Sequence, residues 1–269
     1  MLEEAFMQRA LIAALLLGPV CALLGVFVTA RRMAFFSDTI AHGALTGVAL
    51  GIWLGFADLT LPMVLFSLAI AAGILYLKEK TDLLTDTIMA LLLSGSVALG
   101  ILILSLAKGS RGEIHGYLFG DILAVDTRDV YFAIGLFIIV MVGLFTWLSP
   151  LTLLTANEDL AHVCGVPIRT ANYLFILVLT IAVALSIRLL GIILVTSLIV
   201  VPPATARNIS RNLRQQLIAS VLVGILGSLS GTLLAYRLDV PCGPAIVLSC
   251  IAFFILSLAF KAVRFRRLA

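Results

Sequence analysis

The sequence predicts an all-α protein with eight or nine helices that cross a lipid bilayer. Hydrophobic residues occupy 62% of its 269 positions and charged residues only 12%, whereas about a quarter of the residues in ordinary soluble domains are charged. Long apolar stretches alternate with short clusters of charge, proline and glycine, and roughly 20 apolar residues suffice to span the hydrocarbon core. We therefore expect a single membrane domain over residues 1–269.

The candidate spans are the apolar segments at residues 10–30, 34–56, 60–77, 86–107, 129–148, 170–187, 189–205, 215–236 and 243–261. If the N-terminus lies outside, twelve of the lysines and arginines after the first span are cytoplasmic and five are external, which is the bias that membrane proteins show. Merging the two segments near Arg188 would give eight spans. Residues 114–125 are too short to span and too apolar for a solvated loop, so we expect a partial helix there on the outer side.

A second connection, at about residues 155–167, has the pattern of a short amphipathic helix on the cytoplasmic side. Capping residues precede Glu158 and Asp159, and the segment stops at Gly165, as helices often do. For His162, within this segment, a surface position is expected rather than metal binding. The sequence therefore predicts an exposed docking element that includes Glu158, Asp159, His162 and Gly165.

The second span carries two polar side chains, Asp38 and His42, four residues apart. On a helix they project from the same face, one turn apart. A carboxylate at membrane depth costs about 2.5–3.5 kcal/mol on insertion scales, so it is expected to face a cavity or a partner. Carboxylate and imidazole groups suit zinc and neighbouring transition metals. A structural alternative is that Asp38 caps the helix or pairs with Arg31 or Arg32. His42 would then make an ordinary interhelical hydrogen bond.

Glycines recur every four residues along the same span, at Gly43, Gly47, Gly51 and Gly55. Small residues at this spacing let two helix backbones approach closely. The stripe is therefore predicted to pack against another helix, with the two polar side chains on a neighbouring stripe.

Composition also restricts the classes of function. The sequence contains no G-x-x-x-x-G-K-[ST] phosphate-binding loop, so ATP hydrolysis would have to take place on another chain. We expect no catalytic residues and no permanently bound cofactor. The net charge of +4 is interpreted as a marker of membrane topology and not of nucleic-acid binding.

Four blocks of the sequence resemble the metal-importing ABC permease family for zinc, manganese and iron. They lie at residues 31–49, 117–125, 191–207 and 240–245, and include SDTIAH, YLFGDILAV, GIILVTSL and VPCGPA. The blocks occur in the family's order, and their details are most similar to the zinc-uptake branch in Gram-negative bacteria.

This resemblance implies a type II ABC importer-like fold in the bacterial inner membrane. The implied partners are a second copy of the permease, two cytoplasmic ATP-binding subunits and a periplasmic metal-binding protein. The implied cargo is zinc, or alternatively manganese or iron. The family's aspartate and histidine match Asp38 and His42, and its docking segment matches Glu158 to Gly165. An ion-coupled secondary transporter and a non-transporting membrane scaffold are the alternatives from other classes.

Overall fold

The computed structural model describes residues 5–106 and 126–266, and ten helices run through this part of the chain. In order they are α1 (Ala5–Ala30), α2 (Phe35–Leu54), α3 (Thr60–Lys80), α4 (Thr85–Leu106), α5 (Thr127–Ala156), α6 (Glu158–Val163), α7 (Ile168–Leu190), α8 (Ile192–Ile209), α9 (Leu213–Leu238) and α10 (Cys242–Arg266). Within these described ranges, nine helices are long and apolar enough to cross a membrane, and α6 is not among them. The predicted all-α, multi-pass architecture is confirmed.

The two segments near Arg188 are separate spans. Between the end of α7 and the start of α8, Gly191 has φ 79° and ψ 163°. Residues with a Cβ rarely adopt this backbone conformation, so the glycine allows one helix to end and the next to begin without a loop. The count of nine, rather than eight, follows from this break.

The second helix lies in the interior of the bundle. Most residues of α1, α2 and α7 are buried, whereas less than a third of the residues in α4, α5 and α10 are buried. Helix α2 packs against α3, α4, α7 and α8. The outer helices expose large apolar side chains such as Leu91 and Phe145, which suits contact with lipid tails or with another subunit.

Hydroxyl groups fix α2 against α4. Thr39 Oγ1 donates a hydrogen bond to the Met89 carbonyl oxygen at 3.3 Å, and Thr46 Oγ1 donates one to the Ser96 carbonyl oxygen at 2.7 Å. Small and hydroxyl-bearing residues commonly mediate such contacts between membrane helices. The register of α2, and hence the position of its polar side chains, is set by these bonds.

The largest difference from the predicted boundaries lies at the end of α5. Helix α5 continues to Ala156, well past the predicted end at residue 148, and contains Pro150. Proline is tolerated within membrane helices when neighbouring groups satisfy the freed backbone. Helix α6 is consequently shorter than predicted and covers only Glu158–Val163 of residues 155–167. The expected outer helix at residues 114–125 lies outside the described residues.

Candidate functional site

Asp38 and His42 lie one turn apart on α2, and both side chains are half-buried. The Asp38 carboxylate interacts with the His42 imidazole and with the hydroxyl group of Thr196 on α8. The packing of α8 against α2 therefore brings a third polar group to the pair. These three side chains form a small polar site in a largely apolar bundle.

Neither structural alternative for Asp38 is observed. Helix α2 begins without a side-chain cap, and in the described ranges no lysine or arginine forms an ion pair with Asp38. Arg31 instead donates hydrogen bonds to side chains of α5 and α7, and Arg32 is exposed. Within the same part of the chain, the His42 ring forms no hydrogen bond. Within the described ranges, neither the Asp38 carboxylate nor the His42 ring is thus held by a lysine or an arginine.

The polar face of α2 lies between its contacts with two other helices. Thr39, next to Asp38, contacts α4, and Asp38 itself contacts α8 through Thr196. Helices α4 and α8 have few contacts with each other in the described part of the chain. Asp38 and His42 remain half-exposed between these two flanking helices.

The described part of one subunit supplies too few ligands to enclose a metal ion. No group of three or more His, Cys, Asp or Glu side chains converges within residues 5–106 and 126–266, whereas a closed zinc site has four protein ligands. The pair offers one carboxylate and one imidazole, with the Thr196 hydroxyl beside them. An incomplete site of this kind suits an ion that must be bound weakly enough to leave.

Three of the four glycines in the predicted stripe lie on α2 at its contact with α3. A Cβ added to Gly43 would lie 2.9 Å from the nearest side chain of α3, and a Cβ on Gly47 would lie 2.6 Å from the Pro62 carbonyl oxygen. A Cβ on Gly51 would lie 2.7 Å from Pro62 Cγ. Gly55 is different: it has no neighbour within 4 Å, and its φ of 76° ends the helix, as glycine commonly does.

The predicted docking segment forms a capped helix on the surface. Asn157 precedes α6, and its side chain accepts a hydrogen bond from the Leu160 backbone N–H at 3.0 Å. Beyond the other end, Gly165 has φ 75° and donates its backbone N–H to the His162 carbonyl oxygen at 3.0 Å. These two caps let a helix of six residues exist as a defined element.

One side of α6 is anchored and the other is exposed. Ala161 is fully buried against residues of α5 and α7. The predicted docking residues are all exposed, namely Glu158, Asp159, His162 and Gly165. Leu160 and Val163 are also exposed, at 50% and 82%. The surface of α6 therefore combines two acids with two unpartnered apolar side chains, which is typical of a protein-binding element.

Sequence reasoning missed Thr196 as a member of the polar site and Leu160 and Val163 as part of the docking surface. Thr196 was visible as a hydroxyl in an apolar block, but its position opposite α2 depends on helix packing. The exposure of the two apolar residues follows from the burial of Ala161, which the sequence of so short a helix does not reveal.

Comparison with known proteins identifies the family. Residues 3–261 match the ABC 3 transport family. The high-affinity zinc uptake system membrane protein ZnuB of Haemophilus influenzae is 33% identical over 256 residues, which cover 95% of this chain and 97% of that protein. The manganese import system permease protein ScaB of Streptococcus parasanguinis is 32% identical over 252 residues, which cover 94% of this chain and 89% of that protein.

A solved structure has the same fold. PsaBC from Streptococcus pneumoniae in complex with Fab matches with a TM-score of 0.83 and 31% identity, over 94% of this chain and 91% of the matched chain. This match agrees with the predicted importer-like fold. Nine apolar helices in the described ranges, together with membrane-protein relatives, indicate a multi-pass protein of the bacterial inner membrane. The resemblance noted in the sequence is confirmed: the chain belongs to the ABC 3 transport family.

Proposed function

We propose that this chain is the permease subunit of an ATP-driven importer that moves a divalent transition metal into the cytoplasm, with zinc as the proposed cargo. The observation that supports this function best is the pair formed by Asp38 and His42. The two side chains are half-buried on an interior helix and no arginine neutralises them in the described part of the chain. A polar pair of this kind is costly within a membrane unless it serves a passing ion or a partner.

Zinc is favoured over manganese by the chemistry of the pair. Imidazole nitrogen is a preferred zinc ligand, whereas manganese sites are richer in carboxylate and carbonyl oxygen. The similarity to ZnuB supports the same assignment. The similarity to ScaB, at nearly equal identity, makes manganese the alternative cargo. Iron is a further alternative.

The incomplete site favours a homodimer. Asp38 and His42 are half-exposed between α4 and α8, and two subunits that face each other there would contribute two carboxylates and two imidazoles. Such a shared path needs no permanent cofactor, since the metal is the cargo. Alternating closure on the two sides of this pair would then move the ion across the membrane.

Energy would come from separate ATP-binding subunits on the cytoplasmic side. The exposed helix α6 is the proposed docking element for them, with Glu158, Asp159 and His162 on its surface and Gly165 at its end. A periplasmic metal-binding protein would deliver the ion from the other side. The chain itself catalyses no bond cleavage in this account, and Asp38 and His42 act as transient metal ligands.

Metal uptake by the reconstituted complex tests this function. We expect Asp38→Asn to abolish ATP-dependent zinc uptake into vesicles while the permease still co-purifies with its ATP-binding subunits. Asp82→Asn serves as the control, because Asp82 is an exposed aspartate outside the spans. Unchanged zinc uptake by a stably inserted Asp38→Asn variant would contradict the role of the pair. Uptake that continues without ATP but follows a proton gradient would favour a secondary transporter instead.

A further inference from the structure

Arg31 is a half-buried cation at the predicted cytoplasmic end of the bundle. It follows the last residue of α1 and precedes α2 by four positions in the sequence. Its Nε donates a hydrogen bond to Thr155 Oγ1 at 3.2 Å, and its Nη1 donates one to Asn172 Oδ1 at 3.0 Å. The guanidinium also lies over the ring of Phe175, 4.6 Å from its centre.

These contacts lie on both sides of the docking helix in the sequence. Thr155 belongs to the last turn of α5, just before α6, and Asn172 belongs to the first turns of α7, just after it. The charge of Glu158, the first residue of α6, also acts on Arg31. The Arg31 side chain, in the turn between α1 and α2, therefore contacts both helices that flank the docking helix, α5 and α7.

Holding the charged Arg31 side chain in this position costs free energy, and a residue that only packed the bundle would not need a charge. No carboxylate forms an ion pair with it in the described ranges, and its Nη2 is buried without a hydrogen-bond partner. Burial lowers the pKa of Arg31 to about 10, partly offset by the negative charge of Glu158, so the side chain stays charged at neutral pH. An apolar side chain would often satisfy such a position at lower cost.

The turn that carries Arg31 is tightly built. The backbone N–H groups of Arg32 and Met33 donate to the carbonyl oxygens of Thr29 and Val28 at 3.2 and 2.9 Å, and Phe36 N–H donates to Met33 at 3.0 Å. A displacement applied to Arg31 would thus be passed to α2 rather than absorbed in a loose loop. A cleft of about 380 Å³ borders Arg31, Lys78 and Glu158, which leaves room for the side chain to move.

We propose that Arg31 is a positioning residue that transmits movement of the docking helix α6 to the metal-binding helix α2. This inference rests on the proposed function, because it assigns Arg31 a part in coupling ATP hydrolysis to metal transport. The guanidinium holds the end of α5 and the start of α7 in one planar set of hydrogen bonds. Lysine keeps the charge but cannot reproduce this geometry.

The number of metal ions imported per ATP hydrolysed is the quantity that tests this role. It is measured on the complete complex, with its ATP-binding subunits and binding protein, for wild type, Arg31→Gln, Arg31→Lys and Arg32→Gln. Arg32 is the matched control, since it is an arginine in the same turn but is exposed. We expect the ratio to fall by about two- to thirty-fold in Arg31→Gln, the range typical of residues that carry coupling between sites. It should fall less in Arg31→Lys and stay unchanged in Arg32→Gln.

The outcomes separate this role from simple stabilisation and from the proposed function itself. A purely structural role would lower the thermal stability, metal uptake and ATP hydrolysis together. The number of metal ions imported per ATP would then stay unchanged, which would overturn the inference. An equal loss in Arg31→Gln and Arg32→Gln would overturn it as well. If Arg31→Gln does not assemble, Thr155→Val removes one acceptor at nearly constant volume; a wild-type ratio in that variant would be decisive against the role. Absence of ATP-dependent uptake by the wild-type complex would instead refute the proposed function.

Discussion

Replacing Gly47 by alanine tests how closely α2 must approach α3. The added Cβ would lie 2.6 Å from the Pro62 carbonyl oxygen and 2.8 Å from Met63 Cα. Ordinary van der Waals contacts begin at 3.4 Å, so the two helices must separate by about 0.8 Å to accommodate the added Cβ. Both neighbours are backbone atoms, and no change of rotamer can relieve the overlap. Overpacking of this kind costs about 1–3 kcal/mol, against a gain of up to about 1 kcal/mol from replacing glycine in a helix.

The assay is thermal unfolding of the purified permease in detergent, with Gly95→Ala as the control. A Cβ at Gly95, on α4, would have no neighbour within 4 Å, so only the gain in helix propensity applies there. We expect Gly47→Ala to unfold at a lower temperature than wild type, by about 2–4 °C for each kcal/mol, and Gly95→Ala to be unchanged or slightly more stable. Equal unfolding temperatures for the two variants would refute the packing assigned to the glycine stripe.

Three further predictions concern the docking helix and the polar site. The exposed Cys164 should react with a maleimide in the isolated permease and be protected when the ATP-binding subunits are bound. The buried Cys21 and Cys250 should not react in either state. Equal labelling of Cys164 in both states would count against docking at α6. Asn157→Ala should weaken the N-terminal cap of α6 by about 1 kcal/mol and reduce co-purification with the ATP-binding subunits without changing the main unfolding transition; full co-purification would contradict a docking role for the capped helix. Thr196→Val should slow zinc uptake because it removes the hydroxyl group beside the acidic member of the pair, and an uptake rate equal to wild type would exclude it from the path.

The architecture was predictable because its signals are local. Long apolar runs specify the spans, although the break between α7 and α8 was predicted near Arg188 and lies at Gly191. The pair of Asp38 and His42 could be found because a fixed helical spacing places both on one face. The cap at Asn157 and the stop at Gly165 follow from the conformational preferences of those two residues.

The remaining features depend on packing between distant segments. Helix α5 continues past the predicted end at residue 148, because the bundle tolerates Pro150 within a continuous helix. Gly55 fits the four-residue spacing of the stripe, yet it lies beyond the last turn of α2 and has no helix opposite it. The contacts of Arg31 join residues more than 120 positions apart, so no sequence pattern indicates them.

Spectroscopy of the bound metal shows whether Asp38 and His42 are its ligands. X-ray absorption at the zinc edge is measured on the permease with its ATP-binding subunits, without ATP and with less than one zinc ion per dimer. We predict oxygen and nitrogen ligands at about 2.0–2.2 Å from zinc. This signal should be lost in a variant that combines Asp38→Ala with His42→Ala. Zinc bound with the same affinity and spectrum in that variant would show that the ion takes another route, and the assignment of the pair would be wrong.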